Sequence, residues 1–259
     1  MSSATHPLDL LRHGDRERFV AALFAPPDRR DDLIALYALN VELSRIREQA
    51  REPLAGLIRL QWWRDAVLGG QGGDGHPLVG PLRAVIARHR LDPDRIDRLL
   101  ILRERDFADE PPADLAAAED LAAAGPVALA DLALTLLAAD NAANRTAAAA
   151  VASAGGLLGH LRALAYHRAL GRRTLPEPAE EGLPAQARAL ADRAAAHLAI
   201  VRSQTGTTPA ALPLLLPALQ AEAHLRALRR AGWNPLDPDL ARPRPRPLAL
   251  TWAAWRRRI

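Results

Sequence analysis

Apolar residues recur at helical spacing along most of the chain, and prolines and glycines divide the pattern into segments. A first helix is expected from about Asp15 to Phe24, closed by Pro26 and Pro27. Those prolines open a second, in which Leu33, Leu36, Tyr37, Val41, Leu43 and Ile46 repeat at helical spacing until Pro53. A third helix is expected from Pro53 to Leu68. It stops where Gly69, Gly70, Gly72, Gly73 and Gly75 make a loop too flexible and polar to be an element. Asp92-Pro93 reads as an N-cap and first-turn proline for a helix through Arg105. Shorter helical segments follow from Asp114. A long small-residue helix is expected from Ala142 to about Leu170, or two helices kinked at Gly155-Gly156. Further helices are expected from Pro184 to Ser203 and from Pro209 to Arg230, with Pro213 and Pro217 shaping the first turns of the latter.

Composition strengthens this picture. Hydrophobic residues make up 49% of the 259 residues and aromatics only 4%, so the core must be built mainly from Ala, Leu, Ile and Val on closely packed helices. Strand formers are scarce, which gives an all-α class, and the length suits one domain. The expected division is a helical domain over 1–232 and a C-terminal strap over 233–259, where proline alternates with Arg242, Arg244 and Arg246 before a short Trp-containing segment, Leu248 to Ile259.

Charge and cysteine content exclude several chemistries. The chain has no cysteine, so disulfides, thiolate metal sites and a cysteine nucleophile are out. The N-terminal residues lack a basic segment followed by an apolar run, and no stretch reaches about 18 uninterrupted apolar residues. A cytoplasmic location, with possible contact at the inner membrane, is the expectation. The net charge is +4 and all basic residues are Arg. Acidic residues are interspersed with them and no nucleic-acid-binding motif is evident, so no nucleic-acid partner is expected.

Three segments carry chemistry-bearing residues in a recognisable order. The first runs from Ala35 to Glu48 and the second from Glu52 to Asp65, including Gly56, Arg59 and Leu60-Gln61-Trp62-Trp63-Arg64. The third runs from Leu161 to Pro176, and Arg103-Glu104-Arg105-Asp106 lies between the second and third. Together they resemble the squalene/phytoene synthase family over roughly residues 16–203. The resemblance implies an isoprenoid-synthase-like helical bundle around a central cavity. It also implies two aspartate-rich helical motifs that hold magnesium, which binds the diphosphates of two prenyl substrates. Magnesium takes hard oxygen ligands in octahedral geometry, and carboxylates three or four residues apart on a helix supply them on one face.

The match fails at the motifs themselves. The family's first-motif aspartates fall on Ser44, Arg45 and Glu48, and those of the second on Ala163 and His167. The flanking Arg162, Gly171, Arg172, Leu175 and Pro176 are retained. No catalytic residue and no metal ligand is therefore assigned. A candidate anion or ligand pocket is drawn instead from Tyr37, Arg45, Arg59, Arg162, Arg168 and Arg172, because guanidinium groups bond phosphate or carboxylate directly.

Other clusters have plainer readings. Asp28, Asp31 and Asp32 sit in an opening helical turn, where acidic side chains favour the positive end of the dipole. His160 and His167 share a face without a nearby carboxylate and make a weak metal site. Trp62 and Trp63 either anchor helix packing or line a pocket. Leu248, Leu250, Trp252 and Trp255 beside Arg256, Arg257 and Arg258 suit either a docked terminal helix or an interfacial helix at a membrane.

The resemblance extends to a divergent branch of the family that includes a mitochondrial assembly factor for respiratory complex I. It implies a non-catalytic binding or assembly role near the membrane, with an isoprenoid or lipid and a respiratory-complex subunit as candidate partners and no cofactor. The alternative is a prenyltransferase that condenses two prenyl diphosphates head to head. Only that alternative requires magnesium, with Glu48 and carboxylates such as Asp106 as its ligands.

Overall fold

The computed structural model of the chain describes residues 6–50, 52–108, 110–177, 182–241 and 247–256. Among the described residues there are thirteen α-helices, a few 3-10 turns and no strand. The first half comprises α1 (Pro7–Gly14), α2 (Arg16–Ala22), α3 (Pro27–Gln49), α4 (Pro53–Val67), α5 (Val79–His89), α6 (Pro93–Glu104) and α7 (Leu115–Leu136). The second comprises α8 (Ala142–Arg162), α9 (Leu164–Ala169), α10 (Gly182–Ser203), α11 (Leu212–Leu215), α12 (Pro217–Arg230) and α13 (Pro247–Arg256). One continuous core joins them, with α8 packed against α7, α10 and α12.

Helix starts follow the expected chemistry. Proline sits in the first turn of α3, α4 and α6, and the Asp92 side chain caps α6 by accepting from the Asp94 amide. Several boundaries differ from the sequence expectation. The segment expected as Asp15 to Phe24 begins with Asp15 as a cap, its carboxylate accepting from the Arg18 amide, and a separate helix, α1, precedes it. Helix α5 went unrecognised between the glycine loop and Asp92, and it stops where Arg90 takes a left-handed conformation at φ 49°. The segment from Pro209 to Arg230 is divided into a 3-10 turn, α11 and α12.

Helices α7 and α8 correct the expectation most instructively. The segments expected after Asp114 form one helix of 22 residues with Pro126 inside it. Helix α8 runs through Gly155-Gly156 without a break, and the chain bends at Ala163 instead. The two helices explain each other. Pro126 has no N–H to give the Ala122 carbonyl four residues back, and a Cβ on Gly156 would stand 2.4 Å from that oxygen. Gly156 is thus a close-approach residue that lets α8 lie against the interrupted ladder of α7, not a hinge.

Buried polar groups fasten the bundle at its edges. The Asn144 side chain, inaccessible to solvent, donates to the Ala139 carbonyl at 2.6 Å and the Thr208 hydroxyl at 2.8 Å, and accepts from the Thr208 amide at 2.9 Å. Asp32 is also buried. Its carboxylate meets Arg88 Nη1 at 2.6 and 2.7 Å and His89 Nε2 at 2.6 Å, clamping α3 to α5. Burial would raise the Asp32 pKa, but the hydrogen bonds from His89 and Arg88 overcome it and hold the group below its ordinary value.

Beyond α12, Leu240 joins the main core, while Leu250 and Ala253 of α13 pack on Leu216. Trp252 and Trp255 are 55% and 74% exposed, with ring centroids 5.3 Å apart. The side chains of Leu248 and Arg256, together with residues Arg242, Arg244, Arg246, Arg257, Arg258 and Ile259, lie outside the described residues.

Replacing Gly156 by Ala forces α7 and α8 apart, since the Ala122 oxygen is backbone and cannot rotate away. A loss of about 2 kcal/mol in urea unfolding is expected, whereas Gly155→Ala, which meets nothing within 4 Å, costs little.

Candidate functional site

A cavity of about 880 Å³ opens at the centre of the bundle, between α1–α3, the end of α6, and α7–α9, with α11, α12 and Leu250 of α13 completing the wall. Its size falls in the upper range of small-molecule sites. Much of the wall is small or apolar: Ala122, Pro126, Leu129, Ala148, Val151, Gly155 and Gly156 all reach it. Small side chains on α7 and α8 let the two helices run close together and still leave space beside them.

Tyr37, Ser44 and Glu48 of α3 reach the cavity together. They are seven and then four residues apart, which puts them on one stripe of a helix. Arg45, one residue and about 100° further round, is not in the wall. Its guanidinium lies 3.9 Å from Glu42 and close to Gly14. Across the cavity, Ala163, Tyr166 and His167 contribute to the wall, and Arg162 and Arg172 flank them. Arg168, next round the α9 face, is exposed outside it. Arg59 is exposed on α4 and donates to Gln49 at 2.8 Å. The six-residue anion pocket expected from sequence is therefore not assembled: Tyr37, Arg162 and Arg172 line the cavity, and Arg45, Arg59 and Arg168 do not.

Apart from the exposed Arg16, the arginines that do reach it are already engaged. Gly171, at φ 71°, reverses the chain after α9 so that Arg172 folds back. Arg172 Nη2 then donates to Asp106 Oδ1 at 2.9 Å, and Nη1 donates to His167 Nδ1 at 3.1 Å. Arg103 reaches the other Asp106 oxygen at 3.3 Å. Arg162 pairs with Glu17 at 2.8 Å and also meets His224 Nε2 at 3.0 Å. Arg18 pairs with Asp15 at 2.5 Å and lies 5.9 Å from the centre of the Tyr37 ring. Burial works against the Arg18 charge, yet Asp15 and its neighbours hold its pKa above the ordinary value.

Glu48 and Tyr166 both reach the cavity, from α3 and α9, and the Glu48 charge acts on the Tyr166 hydroxyl. Burial and this carboxylate together push the Tyr166 hydroxyl pKa up, and burial does the same for Tyr37. Burial and then the Arg172 charge drive His167 down to about 4, and burial lowers His160 as well. Both imidazoles are neutral near pH 7. The His160 ring donates from Nε2 to the Thr174 carbonyl at 3.0 Å and lies 5.7 Å from the His167 ring.

This donor set does not match a magnesium site. Asp106 is held by two guanidiniums, Glu48 is a lone carboxylate on α3, and Ser44, Ala163 and His167 offer a hydroxyl, a methyl and a neutral imidazole. Among the described residues no group of three or more His, Asp or Glu side chains is placed to hold a metal ion.

The Leu60-Gln61-Trp62-Trp63-Arg64 run stands outside the cavity wall and works as scaffold. Trp63 is buried, and both indole rings meet the His76 ring. Arg64 ties α4 to α6 through Asp97 at 2.5 Å and Glu104 at 2.9 Å. Sequence reasoning also missed the pairing of Glu17 with Arg162 and His224. These residues lie 145 and 207 positions apart, and no local pattern could have joined them.

The chain belongs to the squalene/phytoene synthase family, whose profile matches residues 11–251. It is similar to NADH dehydrogenase (ubiquinone) complex I, assembly factor 6, from Bos taurus, with 26% identity covering 97% of this chain and 81% of that protein. The Rattus norvegicus protein of the same name is 27% identical over the same shares. In fold it resembles squalene synthase HpnC from Alicyclobacillus acidocaldarius, at TM-score 0.73 and 22% identity over 88% of this chain and 94% of that one. A dehydrosqualene synthase in complex with ligand gives a TM-score of 0.79 at 16% identity, over 97% and 94%.

The His167 shift has a definite sign. Its folded-state pKa of about 4 is below the ordinary 6.5, so between those values the unfolded chain takes up the proton and the folded chain resists it. Stability is full above about pH 6.5 and falls as pH drops toward 4, by an amount on the order of 3 kcal/mol from this group. The slope of unfolding free energy against pH in that window is expected to be shallower in His167→Gln, and equal slopes would refute the assignment.

Proposed function

We propose that this chain is a non-catalytic member of its family that acts as a respiratory complex I-type assembly factor near the membrane, keeping the cavity as a binding site without magnesium. The observation that carries the reading is the engagement of Asp106 by Arg172 and Arg103. That pairing occupies a cavity carboxylate at the side where the second motif places Ala163 and His167. Ionising a prenyl diphosphate requires several kcal/mol of charge stabilisation at the leaving group, which a metal cluster supplies. Here Arg45 is not part of the cavity wall, Arg18, Arg103, Arg105, Arg162 and Arg172 face carboxylates, and Glu48 is left as a single carboxylate on its side.

The similarity to proteins named as complex I assembly factors supports the assembly part, with a respiratory-complex subunit as the partner class. Among the described residues no helix is long and apolar enough to cross a membrane. Peripheral contact through α13 fits the exposed Trp252 and Trp255 beside Arg256. An isoprenoid or lipid in the cavity suits its apolar wall. The prenyltransferase reading keeps one observation in its favour, namely that Glu48 and Asp106 both still reach the cavity.

Two measurements separate these readings. Incubation of the purified chain with farnesyl diphosphate and magnesium, followed by solvent extraction, is expected to yield no condensed hydrocarbon. Tagged chain recovered from its own cells is expected to carry complex I subunits. A condensed product would establish the prenyltransferase, and recovery free of any respiratory or membrane component would remove the assembly role.

A further inference from the structure

The polar end of the cavity is close to charge balance before anything binds. Arg172 and Arg103 share Asp106, Arg162 faces Glu17, Arg18 faces Asp15, and Arg105 donates to Asp120 at 2.8 Å. A diphosphate carries about three negative charges. The exposed Arg16 is one further guanidinium in the wall, so neutralising the remainder would draw guanidiniums from Asp106 or Glu17 and weaken the pairing of partly buried carboxylates. Breaking such pairs costs more than the new bonds return unless a metal arrives with the ligand, and the donor set does not provide for one.

What the same end offers is a matched pair of uncharged hydrogen-bonding atoms. Because Arg172 donates to Nδ1 of His167, the proton of that neutral ring sits on Nε2. Because His160 donates from Nε2 to the Thr174 carbonyl, its Nδ1 is left as an acceptor. Both rings line the cavity, inclined at 33° with centroids 5.7 Å apart. A ring that presents a donor beside a ring that presents an acceptor is the pairing that one hydroxyl oxygen satisfies, accepting from the first and donating to the second.

We propose that the cavity binds a long apolar molecule headed by a hydroxyl group, which accepts from His167 Nε2–H and donates to His160 Nδ1 while its chain lies along the small-residue wall of α7 and α8. This rests on the metal-free reading of the cavity and narrows it to a ligand class. The hydroxyl can be that of an aliphatic alcohol or of an alkylphenol. Arg172 acts here as a positioning residue, since it fixes the His167 tautomer without touching the ligand itself.

The test is calorimetric titration of the full chain, with and without magnesium, using farnesol, 4-dodecylphenol, the hydrocarbon farnesene and farnesyl diphosphate. Farnesol or dodecylphenol is expected to bind about tenfold more tightly than farnesene and farnesyl diphosphate, as one well-made hydrogen-bonded head group would give, and magnesium is expected to change nothing. The tighter of the two hydroxyl compounds identifies the aliphatic or phenolic source. His167→Phe and His160→Phe should each weaken the hydroxyl ligand about tenfold and leave farnesene within twofold, while His167→Asn, which keeps a donor, recovers part of the loss. Equal affinity for farnesene and the alcohols, no binding of any probe, or variants that weaken farnesene equally would overturn the hydroxyl inference alone. Tighter, magnesium-dependent binding of farnesyl diphosphate would overturn the metal-free reading beneath it.

Discussion

The contact on which the functional reading depends is the grip of Arg172 and Arg103 on the carboxylate of Asp106. A carboxylate in a partly buried cavity needs a partner, and either a metal ion or a guanidinium can serve. Once the guanidinium takes that place, Arg172 also reaches His167, fixes its tautomer and helps hold it neutral. The charge pattern of that side of the cavity follows from this exchange. Histidine and alanine at the second motif are then consistent with their neighbours, because carboxylates there would face no cation in need of a partner.

The surrounding architecture is the family's helical bundle, with a cavity at its centre. The interlocking of Pro126 in α7 with Gly156 in α8 keeps two long helices in contact and their shared wall smooth. Asp32 and Asn144 secure the periphery, and Arg64 ties α4 to α6. None of these devices depends on a bound ligand. The bundle can therefore hold its shape with an altered site, which a binding or assembly role requires.

Much of the fold was legible in the sequence, because proline-started helices such as α3, α4 and α6 announce themselves locally. The errors have physical causes. The stretch after Asp114 was expected as shorter segments although the missing hydrogen bond of Pro126 is absorbed at a helix contact, and of the two readings of Gly155-Gly156 the kink fails because Gly156 answers a close approach. At the site, the placement of Tyr37, Ser44 and Glu48 on one stripe follows from periodicity, and so does the exclusion of Arg45. Chain distance hid the rest. Asp106 meets Arg172 across 66 residues and Glu17 meets Arg162 across 145, so residue type alone marked arginines as free anion binders when carboxylates already held them.

The most direct test of the claim that guanidiniums have replaced the metal is a titration of manganese into the ligand-free protein, followed by electron paramagnetic resonance, since manganese reports on magnesium sites. The account predicts no cavity site tighter than about 1 mM, with the same weak response in Glu48→Gln. Stoichiometric binding at micromolar manganese that Glu48→Gln abolishes would contradict it.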